Sequence, residues 1–310
     1  MSAAAFGEVR WNPGWQELGA RNAILSDSGA KEFGPFAGAL SIKHMLSGTA
    51  VWSAGRRRFR VEGPAFLVLN HGTEYTLERR SDEPTESFCP FFARGFVEAA
   101  ARALRASEAE LLDAPEITPN GVVELREQLH AGDAAIVPRL HALARAIRDG
   151  SATALGVEAA FVELANALVL SQRDVAAEIA RAPAARLATR RELHARLQRG
   201  RERMHDGLGD RLCLAEIARA AGVAPHHFHR AFRAVYKVTP HRYLTRLRLE
   251  RSARLLAATD WSVTEICALV GFESPGSFSA LFRRELGHPP SEIRKIRAAP
   301  RAASPLGSES

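Results

Sequence analysis

The sequence predicts an α+β chain: a β-rich sandwich or barrel in the N-terminal part, a helical middle, and an all-α C-terminal region. Three observations carry this expectation. Between Phe36 and Phe92 short apolar segments alternate with glycines, the spacing of strands and their turns. From Phe96 onward the composition changes to Ala, Leu, Arg and Glu with few β-branched residues, which favours helix. A motif at Leu214 to Gly222 recurs 49 residues later at Val263 to Gly271, so the last third holds two copies of one supersecondary unit.

The 310 residues are enough for two or three domains at ~100–200 residues each, and 46% apolar content can fill their cores. Charged residues make up 25%. No apolar run approaches the ~18 uncharged residues of a spanning helix, so neither an integral membrane protein nor a membrane partner is expected. Met1 to Trp15 lacks a positive start followed by an apolar stretch and a small-residue cleavage site, which makes a cytoplasmic location the expectation. The three cysteines, Cys89, Cys213 and Cys267, lie far apart with no CxxC spacing. Neither a disulfide scaffold nor a structural zinc site fits that pattern.

The net charge of +7 is unevenly placed. Residues 1–190 hold 21 Lys/Arg against 23 Asp/Glu, a net of −2, whereas residues 191–300 hold 20 against 11, a net of +9. The basic excess therefore lies wholly in the C-terminal third, where it can be the footprint of a polyanion-binding domain or simply solvated helix faces.

Taken in order, Ala39 to Leu46, Arg58 to Val61 and Ala65 to Leu69 read as strands between Gly48, Gly55, Gly63-Pro64 and His71-Gly72. Helices are expected at Phe96 to Leu112 and Val122 to Arg148. Along Gly156 to Ala180, Val157, Phe161, Leu164, Ala165 and Leu168 recur at three- and four-residue steps, one apolar stripe that must be buried in its own subunit or against a second copy. A homodimer is therefore a possible assembly. Ala182 to Thr189 breaks the pattern and marks the main boundary.

Each copy of the duplicated unit has a short amphipathic helix ending at glycine, a tight turn and a second helix, the layout of a helix-turn-helix. Gly222 and Gly271 suit the left-handed position that closes a helix. Phe228 and Phe232, like Phe278 and Phe282, are four residues apart and line one face of the second helix. Ser262 with Glu265 forms a capping box; Cys213 at the matching position is a weaker cap. Between the copies, Thr239-Pro240 starts a helix running to about Ala257, a connector of ~27 Å. Successive major grooves on one face of B-DNA are ~34 Å apart, so such a rod can set a helix in each of two adjacent grooves. Arg242, Arg246, Arg248, Arg251 and Arg254 lie along it, available to phosphates or paired with residues such as Glu250.

At Leu214 to Gly222, His241 to Leu244, Val270 to Ser274, Phe278 to Phe282 and Pro290 to Arg294, the stretch from Arg190 to Arg297 resembles the DNA-binding domain of the AraC/XylS family of bacterial transcription regulators. The resemblance covers about a third of the chain and rests on two motifs, their spacing and the connector. It implies a sequence-specific regulator, effector-controlled and activating, with double-stranded DNA, a small-molecule effector and RNA polymerase as partners, no cofactor and no enzyme activity. The early residues of the second helix face base edges in such a motif. In the first copy the family's base-reading positions fall on His226, His229 and Arg230, with Arg233 and Lys237 toward the backbone. In the second copy they fall on Ser277 and Ser279 among Pro275, Gly276 and Ala280, while Arg283 and Arg284, with Arg246 on the connector, are placed for phosphates. Discrimination is thus expected to concentrate in the first half-site. Ile293 stands where the family more often has an aromatic residue.

Larger members of this family carry an N-terminal sensor, a cupin-like β-barrel followed by a helical dimerisation segment. The layout here resembles that arrangement: a sensor at 1–120, a helical dimerisation segment at 121–189, an all-α domain with two helix-turn-helix motifs at 190–298, and a disordered tail at 299–310. Trp52, Phe66, His71, Tyr75 and Phe88 are effector-pocket candidates by residue type, or else core. A metal-dependent cupin enzyme is the rival reading; His44, His71, Glu74 and Glu78 are present, but the His-x-His pair that such a metal needs is not. The third reading is a thiol redox sensor, using Cys89 in a loop after the strands and Cys213 at a helix N-terminus, where the dipole favours the thiolate.

Overall fold

The structure, a computed structural model, describes residues 9–14, 17–29, 31–79, 84–104, 125–131 and 134–293. The expected tail at 299–310 and the expected helical residues 105–112 and 122–124 lie outside them. Strands β1 (Arg10–Trp11), β2 (Ala23–Ser28), β3 (Lys31–Ala37), β4 (Ser41–Ser47), β5 (Thr49–Ala54), β6 (Arg57–Glu62), β7 (Ala65–Leu69), β8 (Glu74–Arg79) and β9 (Glu86–Phe91) form the N-terminal part, and β10 (Leu129–Ala131) joins them later. They make a six-stranded sheet, β1-β2-β9-β4-β7-β10, and a four-stranded sheet, β3-β8-β5-β6. Pairing is antiparallel except between β1 and β2. Strand structure thus begins upstream of the expected Phe36, and the two sheets stay open where a closed barrel was expected.

The reason for two open sheets is legible in how β7 alternates. Phe66 and Val68 enter one core cluster with helices, while Ala65, Leu67 and Leu69 enter another with Trp52, Phe59 and Val61 of the four-stranded sheet. The larger sheet is covered on both faces, so all five β7 residues are buried and apolar. The six-stranded sheet thus packs one face on helices and the other on the four-stranded sheet, so its core is completed by these layers. Lys43 is one of several polar residues buried in these sheets. It is buried among apolar residues, donates to Tyr75 Oη at 2.6 Å and lies 3.9 Å from the Phe91 ring centroid, and burial pushes its pKa down to about 7.

Helices α1 (Phe96–Ala103), α2 (Ile136–Arg148) and α3 (Ala154–Arg181) cover the outer face of the six-stranded sheet. On α3 the sequence stripe is buried as expected, with Phe161, Leu164, Ala165 and Leu168 each 0% exposed and packed within the same subunit. No run of ~18 uncharged residues is present in α3, as expected, yet the helix is long and apolar. By length and composition α3 could cross a membrane, with a mean hydropathy of 1.5 over an 18-residue window. Only Glu158 and Glu163 are charged between Ala154 and Ser171, and the apolar content serves the core. A correction falls within 122–148, expected to be helical throughout: Leu129–Ala131 is a strand antiparallel to Ala65–Leu67. A free edge of β7 captures three residues, of which Leu129 and His130 are buried, and tertiary pairing overrides local composition.

After the break at 182–186 come α4 (Leu187–Asp206), α5 (Leu214–Ala221), α6 (Pro225–Tyr236), α7 (Pro240–Ala258), α8 (Val263–Leu269) and α9 (Pro275–Leu286). The helix pairs α5–α6 and α8–α9 are the two copies of the repeat. Gly222 (φ 65°) and Gly271 (φ 83°) close the first helix of each pair in the left-handed conformation. Prolines stand at the first turn of α6, α7 and α9, where the missing N–H costs nothing. Ser262 accepts from Glu265 N at 3.1 Å and Glu265 returns the bond to Ser262 N at 2.6 Å. In the first copy Cys213 N donates the corresponding bond to Glu216 at 2.9 Å. Phe228, Phe232, Phe278 and Phe282 are all 0% exposed, in one core with Ile217, Ile266 and Leu256. Ile293 packs, half-buried, against the same core.

Candidate nucleic-acid interface

With its phenylalanines turned inward, α6 leaves the opposite face to solvent. His226, Arg230, Arg233 and Lys237 are exposed and His229 is half-buried. None of the five makes a side-chain hydrogen bond or ion pair among the described residues. Four cationic or titratable groups on an exposed helix face without internal partners are free to meet an external one. On α9, Ser277 is exposed, whereas the Ser279 hydroxyl donates to Pro275 O at 2.8 Å, so only its lone pairs remain for a ligand. Arg283 is exposed, and Arg284 pairs with Glu285 at 3.0 Å.

The connector arginines are mostly committed elsewhere. Arg246 pairs with Glu250 at 2.7 Å; Arg248 donates to Leu208 O at 3.0 Å and Asp210 O at 2.6 Å. Arg251 and Arg254 both turn to Glu62, at the end of β6 in the N-terminal part. Glu62 is 5% exposed; burial alone would raise its pKa, but Arg251, Arg254 and Arg60 around it hold it below the ordinary carboxylate value. Gly63 beside it takes a left-handed backbone conformation that favours glycine. Its φ is 54°, and a Cβ there would lie 2.3 Å from the Arg254 guanidinium carbon. The Arg242 side chain remains exposed. Sequence reasoning missed this use of Glu62 because Arg251 lies 189 residues away and Arg254 further still, and no local pattern announces such contacts.

A second polar cluster ties α4 to the repeat. Arg201 stacks on Tyr236 and Tyr243, with its guanidinium carbon 4.8 and 5.4 Å from their ring centroids. His205 Nε2 meets Tyr243 Oη at 2.9 Å. From α3, Arg181 donates to Val235 O at 2.9 Å and Glu178 meets His194 Nε2 at 2.7 Å.

The pocket candidates separate. Trp52 and Tyr75 pack between the two sheets, Phe66 and Phe88 pack under the helices, and His71 lines a cleft facing α4. Among the described residues no group of three His, Cys, Asp or Glu is placed to hold a metal ion. Cys89, expected in a loop, lies buried in β9 opposite Lys43, and burial raises its thiol pKa. Cys267 is buried and Cys213 exposed.

Residues 217–296 match the family described as a helix-turn-helix domain. Over 96 residues the chain is 38% identical to the HTH-type transcriptional activator RhaS of Salmonella arizonae, which is 31% of this chain and 34% of that protein. The C-terminal third of the chain is thus similar to the helix-turn-helix part of that activator. The chain spans about a third of the length of the curated relatives it matches, which are named as transcriptional activators. An AraC-type transcriptional regulator from Chromobacterium violaceum is 30% identical, covering 34% of this chain and 95% of that one with a TM-score of 0.33. ToxT of Vibrio cholerae O395 is 11% identical across 90% of this chain and 98% of its own, with a TM-score of 0.36.

Proposed function

We propose that the chain is a sequence-specific transcription regulator, an effector-responsive activator acting in the cytoplasm, whose AraC-type domain holds two helix-turn-helix motifs. The duplicated helix pair supports this most directly: two copies share one core and turn their polar faces outward. The 19-residue α7, ~28 Å long, suits the ~34 Å step between adjacent major grooves. In this reading His226, His229 and Arg230 read bases in the first half-site, and Arg230 can take guanine O6 and N7 with its two-pronged head. Ser277 and Ser279 give the second half-site little direct readout, so it supplies affinity and shape recognition. Arg233, Lys237, Arg283 and Arg284 hold phosphates; Arg246 does so once Glu250 releases it. The cupin-like N-terminal part at 1–120 is the sensor, residues 121–189 are the dimerisation segment, and RNA polymerase is the downstream partner. A ligand regulates such a protein only through different affinities for two of its states.

The test is binding of the full chain to a library of duplex DNA across a salt series. Affinity should fall linearly with salt on logarithmic axes, about 0.9 in slope for each phosphate contacted. Arg230→Ala should relax discrimination at one base pair by about 1–3 kcal/mol, while Ser279→Ala should leave the preferred sequence unchanged. Relaxed specificity in the serine variant with none in the arginine variant would refute the assignment.

A further inference from the structure

A cleft of about 650 Å³ opens between the β-rich part and α4. Gln198 on α4 is 3% exposed, and neither its Nε2 nor its Oε1 has a hydrogen-bond partner. His194, one turn earlier and 0% exposed, gives Nε2 to Glu178 and leaves Nδ1 unpartnered. Across the cleft, His71 accepts the Leu40 N–H at Nδ1, 3.1 Å away. In its neutral form that bond places the remaining proton on Nε2, which is buried and without an acceptor. Four such atoms on residues lining one cleft are unusual, because buried polar groups in native proteins are nearly always satisfied.

Arginines outnumber carboxylates among the lining residues, with Arg57, Arg126 and Arg199 against Glu127, and Arg57 is paired with Glu202 at 2.7 Å. Among the described residues Arg126 is half-buried beside Arg191, and Arg199 donates to the Ala221 carbonyl at 3.4 Å and lies within electrostatic reach of Glu202. Glu127, the carboxylate among the lining residues, is already engaged by Asn70 N at 2.9 Å and by the Thr73 hydroxyl.

We propose that this cleft is the effector site and that it takes a small hydroxylated carboxylate of the sugar-acid class, an inference that rests on the regulator reading above. The Arg126 and Arg199 guanidiniums recognise the carboxylate. Hydroxyls both donate and accept, which matches the mixed donors and acceptors of Gln198, His194 and His71. The volume falls within the ~300–1,000 Å³ of small-molecule sites. Such a ligand touches the β-rich part and α4 together, and α4 leads directly into the AraC-type helix pairs.

Thermal melting of the full chain with gluconate, galacturonate and citrate, against glucose and galactose as neutral comparators, tests this. At a hundredfold excess over its dissociation constant at least one acid should raise the melting temperature by about 5 °C, with no shift from the neutral sugars. Gln198→Met and Arg126→Met should weaken that acid at least tenfold. If the buried Gln198→Met protein does not fold, Arg199→Met, at an exposed position, gives the same readout. A shift of equal size with neutral sugars, a shift retained in the variants, or no shift with any acid overturns the proposal. Binding of the unliganded chain to sheared duplex DNA is measured alongside. If it is retained without any acid-induced shift, the cleft assignment alone fails; if it is absent, the regulator reading fails.

Discussion

The imidazole of His205 is wholly buried against Tyr243, and burial pushes its pKa down to about 3, with Arg201 adding to the effect. His44, buried beside His141 at 3.1 Å, is pushed down to about 4 for the same first reason. Both are neutral in the folded chain, whereas in the unfolded chain each protonates near 6.5. A group whose folded pKa lies below its unfolded value stabilises fully above the unfolded one and loses that contribution as pH falls toward the folded one. Stability should therefore decline from about pH 6.5 downward. His205→Gln, which keeps a polar group for Tyr243, should flatten the decline by about 1.4 kcal/mol per pH unit between pH 5.5 and 4. Denaturant melts of both proteins across that range check it, and parallel pH profiles would show that His205 does not drive the slope.

Among the elements, the two helix pairs were legible in the sequence because their determinants are local. Pro240 and Thr239 start α7, Ser262 and Glu265 cap α8, Gly222 and Gly271 end the first helices, and the phenylalanine spacing fixes the buried face. β7 was legible for a similar reason, as five consecutive apolar residues between turns. What escaped were elements decided by distant partners: β10, three residues recruited by the edge of β7, and the open arrangement of the sheets, which depends on a helical layer from another part of the chain. The candidate site divides the same way. The exposed face of α6 follows from periodicity, whereas the engagement of Arg251 and Arg254 with Glu62 does not. Because both pairs share one core, they should unfold together. Phe282→Ala, in the second copy, should cost about 3–5 kcal/mol, and amide protection in α6 of the first copy should fall with that in α9. Protection retained in α6 while α9 exchanges freely would mean that the two copies are independent units.

At the scale of the whole molecule, Glu62 links the β-rich part to the rod between the helix pairs. The Arg251 and Arg254 side chains are respectively 13% and 36% exposed, and while they face Glu62 they cannot neutralise phosphates. Glu62→Gln keeps the size of the side chain and removes its charge, so both arginines become available to DNA. Each phosphate newly neutralised steepens the logarithmic salt dependence by about 0.9; with two arginines released the slope should steepen by up to about 1.8, with tighter binding at low salt. The same pairing sets an acid limit. The Glu62 carboxyl is held below its ordinary value of 4.5, so its stabilisation is complete above that value and is lost as pH falls through the lower folded one. The parent protein should therefore converge on the variant in stability only in that acid range. Fluorescence anisotropy of a labelled duplex at several salt concentrations separates the outcomes. A steeper slope in Glu62→Gln means that the β-rich part of the molecule withholds α7 from DNA; an unchanged slope means that Arg251 and Arg254 serve the fold alone.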